Sequence, residues 1–311
     1  MEKNSKIYVA GHRGMVGSAI IRELERSGYR NIVVRTRAEM DLRDQAAVER
    51  FFSDEKPEFV FLAAAIVGGI MANMNEQPRF LLENLQIECN VIDSAYRNDA
   101  RKLLFLGSSC IYPKEAKQPI DESALLTGEL EPTNEGYAIA KIAGLKLCEY
   151  YNKFYNTDFL SVMPCNLYGY NDTFDPVRSH MLPALIRKFH VAKTSGAPTV
   201  TVWGTGRVYR ELLYVDDLAR ACTFLMEKYD GADFLNIGYG EDYSVSEIAQ
   251  MIKEISGYDG DIVYDTSKPD GMFRKVMDSG KIRELGWKPL VDLREGIALT
   301  YEWYAANTGR K

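Results

Sequence analysis

Cysteine is sparse and unpaired in pattern: Cys89, Cys110, Cys148, Cys165 and Cys222 are spread over 311 residues with no Cys-x-x-Cys. An odd, scattered set excludes a disulfide framework and a zinc scaffold, and points to free thiols in a reducing compartment with no metal. Long hydrophobic runs are missing as well. The longest uncharged apolar stretch, Phe59 to Ala72, has 14 residues with two glycines, too short for a bilayer and readable as a buried strand plus its loop. Met1 to Lys6 lead straight into a strand-like run without a signal-peptide core, so a soluble, cytoplasmic protein is expected. Positive charge is not in excess: 38 Lys+Arg face 44 Asp+Glu, a formal net charge of −6, which argues against nucleic acid or an anionic membrane as partner. Internal repeats, low-complexity tracts and an obvious linker are absent too. What remains is ordinary globular usage, 46% hydrophobic and 26% charged, which excludes wholesale disorder. The length exceeds what one core usually supports, so two closely joined lobes with a cleft between them are expected.

The first half alternates strand-like and amphipathic segments. Lys6–Ala10, Asn31–Arg35, Phe59–Ala63, Lys102–Leu106 and Phe159–Met163 read as strands, and Val16, Ile20, Ile21 and Leu24 recur at helical spacing up to Gly28. Near-continuous apolar strands separated by helices predict a parallel sheet covered on both faces, a doubly wound Rossmann-type α/β domain over residues 1–165. Residues 166–311 read as a smaller α+β lobe, with segments around 211–240 returning to the sheet. Within it, 199–203 and 234–238 read as strands, 246–255 and 293–304 as helices, and Tyr168 to Pro176 as turn-rich.

Gly11-His12-Arg13-Gly14-Met15-Val16-Gly17 follows the first strand and opens the first helix. Glycine permits the tight turn and lets a pyrophosphate approach the helix N-terminus, where free N–H groups favour anions. The plain alternative is a simple strand–helix turn; the strand–turn–helix setting favours dinucleotide binding. An NAD site places Asp or Glu about 20 residues on, for the ribose 2′-OH. This chain has Arg35-Thr-Arg37 there, with no acid before Glu39. Guanidinium forks suit a 2′-phosphate, so NADPH is the expected cofactor rather than NADH.

Tyr137-Ala-Ile-Ala-Lys141 places a phenol and an ammonium one helical turn apart. A nearby ammonium favours phenolate and so can tune the tyrosine. Leu103-Leu-Phe-Leu-Gly-Ser108-Ser109-Cys110 ends a strand with hydroxyls, where a doubly wound sheet opens its ligand crevice. Glycine turn, strand-end serine and Tyr-x-x-x-Lys, in this order, resemble the extended short-chain dehydrogenase/reductase family along essentially the whole chain. The resemblance implies that Ser108 orients a substrate carbonyl, Tyr137 donates the proton, Lys141 tunes it and holds the nicotinamide ribose, and the nicotinamide supplies hydride. It further implies that Asp41 and Leu42, Leu106, Gly107, Ser108 and Ser109, and Pro164, Cys165, Asn166 and Leu167 line the cofactor, with His180 beside it. A homodimer through the Tyr137 helix and a neighbour is implied too.

Dehydratases of that family usually follow the serine with Thr-Asp-Glu; here the run is Ser108-Ser-Cys-Ile-Tyr-Pro113, so elimination is not encoded. That run, with Glu131-Pro-Thr-Asn-Glu135, Asn166-Leu-Tyr-Gly169 and Ser267-Lys-Pro-Asp-Gly271, resembles the branch acting on GDP-4-keto-6-deoxymannose. The expectation is 3,5-epimerisation and then 4-keto reduction, giving GDP-L-fucose, with the 3-deoxy substrate leading to GDP-L-colitose as the near alternative. A non-catalytic dinucleotide sensor is the remote one, since such sensors have usually lost Tyr or Lys. C3 and C5 hydrogens beside a carbonyl leave an enolate, and inversion needs one group to take a proton and another to return it. By resemblance Cys110 and His180 are that pair, although Cys110 also reads as a small buried hydrophobe and His180 as a structural residue at a helix start. His190 reads as plain surface, and His12 as structural or cofactor-adjacent. Lys188, Trp203, Arg210 and Asp270 match positions that bind the GDP-sugar, with Arg187 competing with Lys188 for phosphate and a core role competing for Trp203. Gly136 stands where relatives often carry proline, which is expected to loosen that helix start, and Tyr170 departs from a frequent proline beside the cleft.

Overall fold

Alternation of fully buried strands with amphipathic helices sets the first half. It runs β1 (Ile7–Ala10), α1 (Met15–Arg26), β2 (Ile32–Val33), α2 (Gln45–Glu55), β3 (Phe59–Leu62), α3 (Ile70–Asn75), α4 (Gln77–Arg97), β4 (Lys102–Leu106), α5 (Glu135–Tyr155) and β5 (Phe159–Pro164). The second half continues with β6 (Asn166–Tyr168), α6 (Met181–Ser195), β7 (Thr199–Trp203), β8 (Tyr209–Tyr214), α7 (Val215–Lys228), β9 (Leu235–Ile237), β10 (Asp242–Ser244), α8 (Val245–Ser256), β11 (Asp261–Asp265), α9 (Gly280–Glu284) and α10 (Leu293–Asn307). This computed structural model describes residues 1–176, 178–268, 270 and 272–308.

The main sheet has the order β2-β1-β3-β4-β5-β9, every pair parallel. β1, β3, β4 and β5 are buried along their whole length, as a sheet sandwiched between helix layers requires. β1 has β2 on one side and β3 on the other, so the strand order reverses there and a crevice opens at the carboxyl ends. This is the doubly wound α/β fold. β9 is supplied by the second half and pairs with β5, while α7 packs on α1. β8, in contrast, joins β10 and β6 in a separate three-stranded sheet, and β7 pairs with β11. A second apolar cluster, including Leu185, Ile186, Phe189, Val202, Ile248 and Ile297, forms beneath these strands.

β2 is shorter than the apolar run suggests. It pairs with β1 only at Ile32 and Val33, and the Val34 carbonyl is taken by the Arg35 guanidinium at 2.8 Å instead of a ladder. No helix among the described residues is long and apolar enough to cross a membrane.

Asn236, fully buried in β9, fastens the segment after β4 to the sheet. Its amide donates to the Ile120 and Asp278 carbonyls at 3.0 and 3.1 Å and its oxygen accepts from the Tyr112 hydroxyl at 2.5 Å. Asn236→Ala leaves these groups without partners, and thermal or urea unfolding is expected to show a loss of about 2–4 kcal/mol.

Candidate active site

At the end of β1 the chain turns at Gly11, with φ +82°, where a Cβ would lie 2.8 Å from the Ala64 backbone in the loop after β3. Gly17 stands in the first turn of α1, where a Cβ would collide with the Gly11 carbonyl. Gly14 caps α1 without a side-chain bond, and no acid occupies the first turn. The amides and positive dipole end of α1 therefore face the crevice unblocked, which fits a dinucleotide pyrophosphate. Arg13 is exposed beside this turn; Met15 and Val16 pack on the core, and burial lowers the pKa of His12, with Arg13 adding to it.

The loop after β2 separates its two arginines. Arg35 donates to Glu55 at 2.6 Å and lies over the Phe51 ring, 5.1 Å from its centroid. Arg37 is 62% exposed with its Nε 3.6 Å from Asp41. Asp41 is gripped by Arg43, whose bonds pull its carboxyl down to about 2. Glu39, the first acid, accepts from the Thr36 amide and hydroxyl at 2.7 Å, so it folds back on its own loop. Leu42 packs on the core, and its carbonyl accepts from Asn90 at 2.9 Å.

β4 delivers Leu106 and Gly107 to the crevice, and a turn at Ser109–Ile111 follows. The Ser108 hydroxyl accepts from the Cys110 amide at 3.2 Å, and Ser108 and Cys110 both lie close enough to the Tyr137 phenol to act on it. Cys110 is half-buried, not a core hydrophobe, and its Sγ accepts a hydrogen bond from Asn134 Nδ2 at 3.1 Å. Ser108, Cys110 and Tyr137 therefore share one wall. Tyr137, on α5, packs edge-on against Phe80, with ring centroids 6.4 Å apart. Burial raises its pKa, Cys110 and Glu88 add to the rise, and the nearby Ser108 hydroxyl opposes it. Lys141 is 2% exposed, donates to the Leu106 carbonyl at 2.9 Å and stands 3.0 Å from the Glu88 carboxylate.

The start of α5 is fastened, not loosened. The Gly136 N–H donates to Gln77 Oε1 at 2.9 Å, and Gln77 Nε2 donates to the Pro132 carbonyl at 2.8 Å. A proline would lack that donor, so Gly136 and Gln77 are a matched pair.

Pro164 ends β5, and Cys165 to Leu167 cross to the smaller sheet. The Cys165 amide donates to Ile237 at 3.0 Å and Asn166 Nδ2 to the Glu211 carbonyl at 3.2 Å. Burial pushes the Cys165 thiol well up. His180 is the N-cap of α6, and the Gly69 amide donates to the Arg178 carbonyl at 3.0 Å, tying this start to the loop after β3. His180 is exposed, and partial desolvation of its ring lowers its pKa below the usual 6.5. His190 is not plain surface: it packs on the Tyr301 and Tyr304 rings, with Nδ1 3.3 Å from the Tyr301 hydroxyl.

The four positions matched to the sugar nucleotide gather on the smaller lobe. Lys188 Nζ lies 5.2 Å from the Trp203 ring centroid, and Trp203 is 57% exposed, which rules out a core role. Arg210 donates to the Asp270 and Met272 carbonyls at 3.2 and 2.8 Å, while the Asp270 carboxylate accepts from the Thr205 amide and hydroxyl. Pro269 and Gly271 of that motif lie outside the described residues. An exposed indole between Lys188 and Lys268, with Arg210 nearby, can stack a base and meet a diphosphate.

Glu88, Asn134 and Gln77 hold functional groups in place, yet no motif announces them. A signal for Glu88 was available: it falls on the helical stripe of Phe80, Asn84, Ile87, Val91 and Ala95, where an acid is out of place.

Comparison with known proteins agrees with this geometry. The NAD dependent epimerase/dehydratase family matches residues 7–238. GDP-L-fucose synthase 1 of Arabidopsis thaliana is 57% identical over 306 residues, 98% of this chain and 95% of that one. The GDP-L-colitose synthase of Yersinia pseudotuberculosis is 42% identical over 301 residues, 96% of this chain and 97% of that one. Among solved structures, a GDP-L-fucose synthetase from Naegleria fowleri bound to NADP superposes with a TM-score of 0.93 at 30% identity, covering 100% of this chain and 96% of that one.

Proposed function

The chain belongs to the NAD dependent epimerase/dehydratase family, and from that membership we propose an NADPH-dependent enzyme that epimerises C3 and C5 of GDP-4-keto-6-deoxy-D-mannose and reduces C4, giving GDP-L-fucose. The observation that carries this reading is the meeting of Ser108, Cys110 and Tyr137 at one strand end. A plain ketone reductase needs the serine and tyrosine but has no use for the thiol. Higher identity to the fucose than to the colitose enzyme favours the 3-hydroxy substrate.

In this reading the sheet lobe, 1–165 with returning segments around 211–240, takes the cofactor and 166–311 takes the GDP-sugar. The α1 amides hold the pyrophosphate. Arg37 meets the 2′-phosphate, because Arg35 is committed to Glu55. Bound NADPH supplies hydride to C4. Ser108 and Tyr137 donate to the C4 oxygen, which lowers the cost of the enolate formed when a C3 or C5 proton leaves. Cys110 and His180 take and return those protons from opposite faces. Once the sugar is inverted, Tyr137 gives its phenolic proton to the C4 alkoxide and is reprotonated from water. Trp203, Lys188, Arg210 and Asp270 hold GDP.

A cytoplasmic homodimer is part of the proposal. Leu82 on α4 and Tyr150 and Phe154 on α5 are 59%, 55% and 67% exposed, which supports pairing through these helices. Light scattering at a monomer mass would refute it.

The deciding experiment is a product assay with the 3-hydroxy and 3-deoxy keto sugars. NADPH oxidation with GDP-L-fucose as product is expected. Preference for the 3-deoxy sugar would move the assignment to GDP-L-colitose, and binding without oxidation would make the protein a sensor. Arg37→Ala is expected to raise KM for NADPH roughly 10- to 100-fold and leave that for NADH nearly unchanged, as loss of a charge-assisted phosphate contact requires. Equal effects on both cofactors would remove Arg37 from the 2′-phosphate.

A further inference from the structure

Among the described residues the Lys141 ammonium has one anionic neighbour. Glu88 on α4 is 1% exposed, its Oε1 lies 3.0 Å from Lys141 Nζ, and among the described residues no other donor reaches either carboxylate oxygen. Room for the carboxylate is built into the facing helix: a Cβ on Gly144, three residues past Lys141, would lie 2.8 Å from Glu88 Oε2 and 2.5 Å from the Phe105 ring. The ammonium also donates to the Leu106 carbonyl and lies 4.7 Å from the Phe105 centroid and 5.8 Å from that of Tyr137. The buried faces of two helices thus meet in an ion pair beside the reactive phenol. Such a pair adds little net stability compared with apolar packing, so its presence asks for another purpose.

We propose that Glu88 is a positioning residue that holds Lys141 and cancels its charge, so that Tyr137 rests as a phenol ready to donate rather than as a phenolate. An uncompensated ammonium one turn away would favour phenolate, which suits an oxidising dehydrogenase that must take a proton. A ketone reductase needs the opposite resting state. The direction of proton transfer is therefore set partly from α4, outside the Ser-Tyr-Lys set. The inference rests on reading Tyr137 as the proton donor.

The other titratable groups around the pair are few. α5 contributes Tyr137 and Cys148, whose thiol burial pushes up to about 12; the turn after β4 contributes Cys110, and α4 itself the exposed Cys89. β4 presents the Leu106 carbonyl and the Phe105 ring, and β5 the buried Ser161 hydroxyl. Among the described residues Glu88 is the carboxylate that acts on Tyr137, so a change in the Tyr137 titration on altering it has no competing carboxylate to be assigned to.

The test reads the phenol on cofactor-free protein, independently of the assigned reaction. Tyrosinate absorbance of wild type minus Tyr137→Phe isolates this phenol, and Glu88→Gln minus Glu88→Gln/Tyr137→Phe isolates it without the carboxylate. Wild-type Tyr137 is expected to remain protonated at about pH 9. In Glu88→Gln it is expected to ionise at least about one pH unit lower than in wild type. Glu88→Asp, which keeps the charge, should titrate like wild type, although a merely structural role predicts similar damage from both variants. Identical titration of wild type and Glu88→Gln overturns the proposal. So does a wild-type phenol ionising near neutrality, a measurement that stands even should Glu88→Gln fail to fold. In turnover, the basic limb of kcat/KM for ketone reduction should move down in Glu88→Gln with KM for the GDP-sugar unchanged. A phenol shift without wild-type turnover would sink the assigned reaction and support the charge-cancelling role; turnover without the shift would sink the role alone.

Discussion

Tyr137→Phe is expected to stop C4 reduction while solvent deuterium continues to enter C3 and C5. The phenol faces the Ser108 hydroxyl, and the two together can donate to a carbonyl oxygen held between them. Loss of a general acid costs roughly 100- to 10,000-fold in rate. Epimerisation asks less of it, because Ser108 still donates to the enolate oxygen. The ring itself is kept by its edge contact with Phe80 and only the hydroxyl is removed, so stability should fall by no more than about 1 kcal/mol. NADPH oxidation and deuterium uptake by mass spectrometry, followed in the same sample, separate the two half-reactions. Ketone reduction near the wild-type rate would remove Tyr137 from the donor role.

Cys110→Ala should show the opposite pattern. Deuterium uptake at C3 and C5 is expected to fall by roughly 100- to 10,000-fold, with slow reduction of the unepimerised ketone surviving. The sulfur is half-buried and accepts from Asn134 at 3.1 Å, a contact that fixes it on the wall beside Ser108. Truncation leaves the Ser108 and Tyr137 hydroxyls and the Lys141 placement untouched. Normal exchange in this variant would transfer the acid–base role elsewhere, and His180→Ala would then be the next variant to assay.

The motifs were legible because each is local. Gly11 to Gly17 must turn tightly whatever surrounds it, and Tyr137 and Lys141 share a helix face by spacing alone. The strands at 59–63 and 102–106 were legible for the same reason, since residues buried on both faces give an unbroken apolar run. Other readings depended on neighbours far along the chain. Arg35 and Arg37 are equivalent in the sequence, yet Glu55, 20 residues on, engages only Arg35. His190 read as surface until α10 placed Tyr301 and Tyr304 against it, and Gly136 read as a loose helix start until Gln77 supplied a partner 59 residues away.

The scarcity of cysteine pairs, of long apolar runs and of positive charge already placed this chain among globular proteins with free thiols. Its periodicity determined a doubly wound sheet, and its motifs determined a dinucleotide crevice with a serine, a tyrosine and a lysine at its edge. Net charge described the whole surface and missed a local cluster, where Lys188 and Lys268 lie over the Trp203 ring and Arg210 is held to the Asp270 backbone. Only the tertiary structure decided which ionisable groups face one another. Glu88 lies 53 residues before Lys141, and no local pattern encodes their 3.0 Å approach. The packing of α4 on α5 creates it, with Gly144 leaving the space, because Coulomb energy depends on distance through the fold rather than along the chain.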